Sequence, residues 1–370
     1  TPVLRVIGLQ VIIYGVNSVQ QAYVSKKMMF KKFFWSTLVG TIVSAVVGLY
    51  MAYSGYGIWA LVGQQLVAAT TNTIVLYWVT RKLPGLMFSF ERLKGLFGYG
   101  VKILGASLLV SVFLDIRSLI IGKIYSARDL AFFDRGRQFP NLIITNINSS
   151  VGAVLFPKMS QEQDDVERIK QTCRNSIRFS SFVMMPLMFG LAACADPFIR
   201  LLLTDKWIEC VPFLQLFCII YMFYPMHTAN MQAIKALGHS GMFLKLEIIK
   251  KSLELIGLLI VVNISVTAIA INMAVLTTLF TFVNAYPNIK LLNYTFKEQM
   301  HDVLPPIVMS GFMAFVIVVI GYLLNISDVC ILIIQALCGI TIYVLIALLS
   351  RNKEMLYIYS MIKNKLHYGR

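Results

Sequence analysis

The sequence predicts an all-α protein, a polytopic membrane bundle of about eleven transmembrane helices. Of its 370 residues, 58% are hydrophobic and only 14% are charged, which is more apolar than a water-soluble domain can bury. The apolar residues form runs near 20 residues, and about 20 residues rising about 1.5 Å each cross a hydrocarbon core of about 30 Å. Strands of a membrane barrel would alternate over about 10 residues, so a barrel is rejected.

The predicted spans follow one another through most of the chain. They lie at residues 4–24, 34–53, 57–80, 101–121, 140–156, 177–195, 211–234, 252–264, 266–286, 304–324 and 328–350. Because the chain begins Thr1-Pro2 with no charged region before its first apolar run, no signal peptide is predicted. We expect the natural N-terminus to precede this sequence.

The positive charges predict the orientation in the membrane. The net charge is +16, and alternate loops hold 25 and 6 Lys and Arg residues. The positive-inside rule places the richer side, and with it the C-terminus, in the cytoplasm. This alternation favours a membrane protein over a nucleic-acid-binding protein. Four of the six external basic residues, at 123, 128, 135 and 137, lie in the stretch 122–160, which was interpreted as a charged loop followed by a span.

Cysteine and histidine predict neither a disulfide framework nor a metal site. The six cysteines occur singly without CxxC, and the four histidines form no HExxH. No cofactor is expected.

Polar residues recur on one face of the first predicted span. Gln10, Asn17 and Gln21 follow helical spacing, and Gln65 and Asn72 share a face two spans later. Such amides either join neighbouring helices by hydrogen bonds or line a substrate cavity, and the sequence leaves both open.

Two charged residues lie deep in the span 101–121. Asp115 and Arg117 each cost about 2.5–3.5 kcal/mol at mid-bilayer, so they should face the bundle interior. Being two residues apart, they point in different directions and need other partners. Near residue 250, the i,i+4 spacing predicts the pairs Lys250–Glu254 and Glu247–Lys251.

A polar and small stripe marks the span 140–156. Asn141, Thr145, Asn148 and Gly152 recur at steps of four, three and four. This stripe either faces a cavity between two lobes or packs against a neighbouring helix, with neither favoured. Upstream, residues 82–101 contain Pro84, several glycines and an amphipathic FSFERLKGLF, which predicts an interfacial linker between the lobes.

Several segments together resemble a known family. They are IIYGVNSVQQAYVSKKMMFKK, AYSGYGIWALVGQQL, LIIGKIYSARDLAFFDRGRQFPNL, VGAVLFPKMSQEQDDVERIK, ADPFIRLLLTDKWIECVPFLQL and KALGHSGMFLKLEIIKK. In this order they resemble the polysaccharide-transporter (Wzx-type) oligosaccharide flippases of the multidrug, oligosaccharidyl-lipid and polysaccharide exporter superfamily. The resemblance extends over roughly residues 1–300.

The resemblance implies a two-lobed exporter fold that here lacks its first three helices. Residues 1–90 would form a partial N-lobe with helices 4–6 of the family pattern, and residues 95–290 a six-helix C-lobe. Residues 300–350 would be an extra C-terminal helix pair and residues 351–370 a cytoplasmic tail. The residues that match family motifs are Asp115, Gly122, Lys123, Arg135, Gln138, Pro157 and Trp207, and this chain has Arg137 where the family often has a small residue.

The function implied by the resemblance is to flip undecaprenyl-pyrophosphate-linked oligosaccharides across the bacterial cytoplasmic membrane for O-antigen, capsule or exopolysaccharide synthesis. The expected partners are this lipid-linked oligosaccharide, membrane lipids, and polysaccharide polymerase and chain-length proteins, with a proton or sodium gradient as the coupling source. The alternatives are an ion-coupled multidrug antiporter of the same superfamily and a membrane enzyme of polysaccharide assembly. The candidates for lining a substrate cavity are Asp115, Arg117, Lys123, Arg135, Arg137, Gln138, Asn141, Thr145, Asn148, Gln10, Asn17, Gln65 and Asn72. The cationic and amide character of these candidates disfavours the antiporter, and the short external loops disfavour the enzyme.

Overall fold

The computed structural model describes residues 2–80, 89–324, 326–356 and 360, without the side chains of residues 2, 4, 99, 110 and 113–115. Residue contacts divide the chain into two units, Thr1–Leu93 and Lys94–Arg370. Part of the predicted linker, residues 82–88, and most of the predicted tail lie outside the described residues.

Within its described residues, the first unit contains three complete helices. They are α1 (Pro2–Lys26), α2 (Phe30–Tyr53) and α3 (Ile58–Thr80). The turn between α2 and α3 uses Gly55 and Gly57, both at positive φ, a conformation that glycine adopts without steric cost.

A stripe of small residues brings α2 close to α3. Ser36, Gly40, Ser44 and Gly48 are the buried residues of α2 and follow one another every four positions. A Cβ atom on Gly48 would lie 3.1 Å from the Gln64 side chain on α3. Small residues at this spacing let helix backbones approach closely in a membrane, where van der Waals packing drives helix association.

The second unit contains ten α-helices and one 3₁₀ helix within the described residues. They are α4 (Phe90–Ile124, which begins just before the unit boundary), α5 (Ala127–Gln161), α6 (Val166–Ala193), α7 (Ala195–Leu203), the 3₁₀ helix (Asp205–Cys210), α8 (Val211–Met222), α9 (Tyr224–Ala236), α10 (Ser240–Val261), α11 (Val266–Leu291), α12 (Phe296–Leu323) and α13 (Asp328–Leu349).

The described chain is all-α and crosses the membrane several times. Seven helical segments are long and apolar enough to span a bilayer: α2, α5, α6, the segment Asp205–Ala236, α11, α12 and α13. Helices α1, α3, α4 and α10, each of 22 to 35 residues, occupy the other four predicted spans. The arrangement is compatible with about eleven spans, and the predicted membrane helix bundle is confirmed.

Two helices begin upstream of the predicted spans. α4 runs unbroken from Phe90, so residues 90–101 of the predicted linker are helical and continuous with the predicted span. α5 begins at Ala127, so the stretch interpreted as an external loop is helical and carries Arg128, Arg135 and Arg137. The Ser126–Asp129 capping box starts α5 by satisfying free backbone N–H groups. Pro140 lies inside it, as neighbouring helices permit in membranes.

One predicted span contains two helices. The segment 211–234 breaks at Phe223, between α8 and α9, and Pro225 lies in the first turn of α9. Proline has no N–H and is favoured at the start of a helix, where that donor would have no intrahelical acceptor.

A buried polar network fastens α6, α9, α11 and α12 together. Asn230 donates to Gln299 at 2.8 Å and accepts from Asn288 at 2.6 Å. At its edge, Arg174 donates two hydrogen bonds to Asp302, at 2.7 and 2.9 Å, and Tyr294 donates to the same carboxylate.

The connection between α11 and α12 is held in this network by Tyr294. Burial and the neighbouring Asp302 carboxylate raise the pKa of the Tyr294 phenol well above its usual range. Tyr294 therefore remains a hydrogen-bond donor to Asp302 at every physiological pH.

Candidate functional site

The site is organised around the close approach of α5 to α8 at Gly136. A Cβ atom there would lie 2.5 Å from Phe213 Cβ, 2.8 Å from the Leu214 nitrogen and 2.9 Å from the Cys210 oxygen. Neighbouring residues are about 100° apart around a helix, so Arg135 and Arg137 leave this contact on opposite sides.

Arg135 is exposed and is oriented by two neighbours. One guanidinium nitrogen donates to Gln138 Oε1 at 2.7 Å, and the guanidinium carbon lies 5.2 Å from the Trp207 ring centroid. The Trp207 ring in turn packs edge-on against Phe132, with centroids 5.7 Å apart. These contacts hold a charged group in place without neutralising it.

Arg137 is half-buried and pairs with Asp134 at 3.1 Å. The two arginines, Asp134, Gln138, Asn141 and Leu142 line a depression of about 320 Å³, which we call the α5 depression. It contains two guanidinium groups, one carboxylate and two amides, so its formal charge is +1. Guanidinium groups bind phosphate or carboxylate oxygens in a planar, bidentate manner.

The polar stripe of α5 differs between its two ends. Asn141 and Thr145 are exposed, whereas Asn148 is half-buried and its Oδ1 atom has no hydrogen-bond partner among the described residues. A Cβ atom on Gly152 would lie 3.2 Å from Gln232 Nε2 of α9. The stripe thus lines the α5 depression at one end and packs on α9 at the other, and its position in a cavity between lobes stays a prediction.

Arg117 on α4 has a partner on α10. Its guanidinium lies 2.9 Å from Glu254, whose carboxylate also accepts from Lys251 at 2.9 Å. The side chain of Asp115 is outside those described.

The predicted i,i+4 pairs of α10 are wrong. The pairs are instead Glu247–Lys250 and Lys251–Glu254, three residues apart. Glu254 also pairs with Arg117 of α4, a tertiary contact that the spacing within α10 does not reveal. Arg117, Glu247, Lys250, Lys251 and Glu254, which we call the α4–α10 charge cluster, are all at most 15% exposed as side chains and together carry a net charge of +1.

Lys123 lies exposed in the last turn of α4. It is a basic residue at a helix C-terminus, a position that the helix dipole favours. It does not line the α5 depression.

The amides of the first unit join α1 to α3. Asn17 is 2% exposed and donates to Thr73 at 2.9 Å, and it accepts from Gln21. Gln10 donates to the backbone oxygen of Gln65 at 3.4 Å. Helix–helix bonding, one of the two alternatives, therefore accounts for Gln10 and Asn17.

The two amides on α3 are placed differently. The Gln65 side chain is exposed, and Asn72 lies beside Gly40 with its Oδ1 atom unpartnered among the described residues. A role for either in lining a cavity stays a prediction.

Sequence reasoning missed the part that Glu254 plays in the site. Arg117 signalled that an acidic partner was required, but the choice of Glu254 depends on which face of α10 meets α4. The stacking of Arg135 on Trp207 was likewise not predicted, because the two residues are 72 positions apart and meet only through the fold.

We expect Gly136→Ala to destabilise the protein by roughly 1–3 kcal/mol, because the added methyl would overlap the α8 backbone. The measurement is the thermal unfolding midpoint in detergent. Gly98→Ala is the matched control, since nothing lies within 4 Å of its Cβ position and alanine favours a helix. Equal unfolding midpoints for the two variants would show that α5 and α8 can move apart to admit the methyl group without loss of stability.

Comparison with known proteins decides the family. A family model described as "Polysaccharide biosynthesis protein" matches residues 1–212, more than half of the chain. The chain belongs to this family. The resemblance found in the sequence is thereby confirmed.

Relatives of this polysaccharide biosynthesis protein come from several bacteria. The succinoglycan biosynthesis transport protein ExoT of Rhizobium meliloti is 26% identical over 213 residues, 58% of this chain and 43% of ExoT. The teichuronic acid biosynthesis protein TuaB of Bacillus subtilis is 22% identical over 241 residues, 65% of this chain and 50% of TuaB. The lipopolysaccharide biosynthesis protein WzxC of Escherichia coli is 23% identical over 157 residues, 42% of this chain and 32% of WzxC. The matches span half or less of each relative's length.

A solved structure shares the fold. The lipid II flippase MurJ, in its inward closed conformation, matches with a TM-score of 0.64 at 16% identity, over 95% of this chain and 73% of MurJ. At this identity the likeness concerns the fold. The family match includes α4 and α5, and therefore the α5 depression, whereas Glu254 lies beyond it.

Proposed function

We propose that this polysaccharide biosynthesis protein is a flippase. Its substrate would be an undecaprenyl-pyrophosphate-linked oligosaccharide repeat unit, moved from the inner to the outer leaflet of the bacterial cytoplasmic membrane. The product would serve O-antigen, capsule or exopolysaccharide synthesis.

The observation that carries this proposal is the α5 depression. A pyrophosphate and a chain of sugar hydroxyls cannot cross hydrocarbon unaided, so they need charged and hydrogen-bonding groups along the way. Arg135 and Arg137 provide cations for the pyrophosphate, and Gln138 and Asn141 provide amides for hydroxyl groups. Positive charges on a non-cytoplasmic segment go against the positive-inside rule, so a functional benefit should offset them.

The relatives support the class of activity. ExoT is described as a transport protein for succinoglycan biosynthesis, and MurJ as a flippase for lipid II. These names pair membrane transport with carbohydrate assembly, as the proposal does.

The proposal includes an orientation and partners. The C-terminus lies in the cytoplasm, polymerase and chain-length proteins receive the translocated repeat unit, and a proton or sodium gradient supplies the energy. The charge count of the loops supports the orientation.

The test is translocation by the full-length protein in proteoliposomes. Lipid-linked oligosaccharide from the host strain is added, and its exposure in the opposite leaflet is followed by its susceptibility to an impermeant galactose or hexose oxidase. We expect the oxidised fraction of the lipid-linked oligosaccharide to rise only in vesicles that contain the protein, and only for a lipid that carries the pyrophosphate. No exposure under either a proton or a sodium gradient, with folded protein, would contradict the proposal.

The same vesicles separate the two alternatives. Export of an organic cation such as ethidium, without movement of the oligosaccharide lipid, would indicate the multidrug antiporter. A change in the mass of the oligosaccharide lipid would indicate the membrane enzyme.

A further inference from the structure

Two depressions meet on the second unit where α12 and α13 pack beside α6. The larger has a volume of about 580 Å³ and is almost wholly apolar, with Phe182, Leu187, Met313, Ile340 and Tyr343 among its lining residues. We call it the apolar groove. Gln335 lines both it and the second depression.

The apolar groove has the length of one lipid chain. Along α13 it extends from Leu332 to Val344, twelve positions, or about 18 Å at about 1.5 Å per residue. Half of the hydrocarbon core of a bilayer is about 15 Å thick. Ile340 and Leu187 are 65% and 44% exposed, so the groove is open along its side. An acyl chain of one leaflet fits these dimensions.

The second depression, which we call the head pocket, lies where α6 and α12 end and α13 begins. Its volume is about 310 Å³, and its polar lining consists of Asp196, Gln215, Tyr322, Asp328 and Gln335. By the distribution of basic residues this end of the helices is non-cytoplasmic.

The head pocket presents mainly hydrogen-bond acceptors. The amide nitrogen of Gln215 donates to the Ala192 carbonyl oxygen at 3.2 Å, and that of Gln335 to the Ile317 carbonyl oxygen at 3.1 Å. The remaining polar atoms of these residues and of the two aspartates are two amide oxygens and two carboxylates, all of them acceptors. The Asp196 carboxylate is shared with Arg200 at 3.0 Å, whereas no described basic side chain pairs with Asp328.

Gln335 is a second, independent sign of a ligand. It is 2% exposed, and its Oε1 atom has no hydrogen-bond partner among the described residues. A buried amide oxygen without a partner is costly, and a rotation of the Gln335 side chain would bring this oxygen to a donor in the head pocket.

We propose that the head pocket and the apolar groove together hold one phospholipid with a primary ammonium head group, as in phosphatidylethanolamine. The ammonium has three N–H donors and a positive charge, which complement the Asp328 and Asp196 carboxylates and the Gln335 oxygen. One acyl chain lies in the apolar groove. A pyrophosphate head group has no cation to pair with these carboxylates, so this site is distinct from the α5 depression and does not depend on the proposed function.

The test is native mass spectrometry of the full-length protein titrated with matched dioleoyl lipids. We expect phosphatidylethanolamine to bind roughly tenfold more tightly than phosphatidylcholine or phosphatidylglycerol, since only the first donates charge-assisted hydrogen bonds. Asp328→Asn should remove most of this preference. Asp164→Asn, which neutralises an exposed carboxylate on another loop, is the matched control and should keep the preference.

A second pair of variants tests whether the apolar groove holds an acyl chain. Ile340→Trp fills the open side of the apolar groove and should lower occupancy by all three lipids, whereas Leu345→Trp, exposed on α13 outside the groove, should not. Equal binding of the three lipids, or a preference for an anionic lipid or for undecaprenyl phosphate, would overturn the proposal. The proposal would also be overturned if Asp328→Asn abolished binding of calcium but kept the preference for phosphatidylethanolamine. The head pocket would then be a metal site.

Discussion

Replacing Glu254 by Gln is expected to destabilise the protein by roughly 3–5 kcal/mol, whereas replacing Arg117 by Met is expected to cost far less. The reason is that one carboxylate serves two cations. Without it, Arg117 and Lys251 remain in the interior with no anion beside them. Without Arg117, the pair Lys251–Glu254 remains and is neutral.

The measurement is the free energy of unfolding in detergent, from denaturant or thermal transitions of each single variant. Arg128→Gln is the matched control, because Arg128 pairs with Glu209 at 2.6 Å but both side chains are more than half exposed. Exposed ion pairs contribute about 0–1 kcal/mol. If Arg117→Met proved as destabilising as Glu254→Gln, the interior would not hold an excess of positive charge.

The pairing of Arg117 with Glu254 also affects which arginines can bind substrate. Arg117 was predicted to line the substrate path, but in this structure its guanidinium group is paired with the Glu254 carboxylate. For Arg117 to bind an anionic head group, that group would have to compete with Glu254, whereas Arg135 and Arg137 are already open in the α5 depression. We therefore expect Arg117 to contribute mainly to the contact between α4 and α10.

Changing both Arg135 and Arg137 to Gln in the full-length protein is expected to lower oligosaccharide translocation by roughly 10- to 100-fold. This range corresponds to the net loss of one hydrogen bond to a charged group, about 1.5–3 kcal/mol. Arg→Lys at the same positions keeps the charge but loses the bidentate geometry, so these variants should retain more activity than the Gln variants and less than the unchanged protein. Surface polysaccharide in the host, compared at equal protein abundance, gives the second measurement.

The control for this experiment is again Arg128→Gln, since Arg128 lies in the first turn of α5 but does not line the α5 depression. Unfolding midpoints of all variants separate lost folding from lost transport. Normal polysaccharide in the double Gln variant would show that charge in the α5 depression is not needed. The pairing of Arg137 with Asp134 would then account for that residue by itself.

Hydrophobic segments were predictable from the sequence because the bilayer imposes one length on every spanning helix. All-α character and most spans follow from that constraint, and the family resemblance follows from motifs in order. The starts of α4 and α5, which lie upstream of the predicted spans at 101 and 140, were missed for one reason. Polar residues at the ends of α4 and α5 resemble loop residues in a hydropathy pattern, although their backbones continue as helix.

Individual site residues were predictable as types but not as partners. The sequence showed that Arg117 needs an anion and that Arg135 and Arg137 are unusual where they lie. Which acid meets Arg117 depends on the rotation of α10 against α4, and the stacking of Trp207 on Arg135 depends on where the 3₁₀ helix returns to α5.

The sequence by itself therefore determined which segments lie in the bilayer and which lie in water. Free energies of transfer and loop charges can be summed residue by residue along the chain, without knowledge of the packing. What only the tertiary structure decided is the state of each polar group: Glu254 shared by two cations, Arg135 held by Trp207, and Gln335 left with a buried acceptor. The physical reason is that hydrogen bonds and ion pairs act over about 3 Å between residues far apart in the chain. Their partners are fixed only when the helices pack.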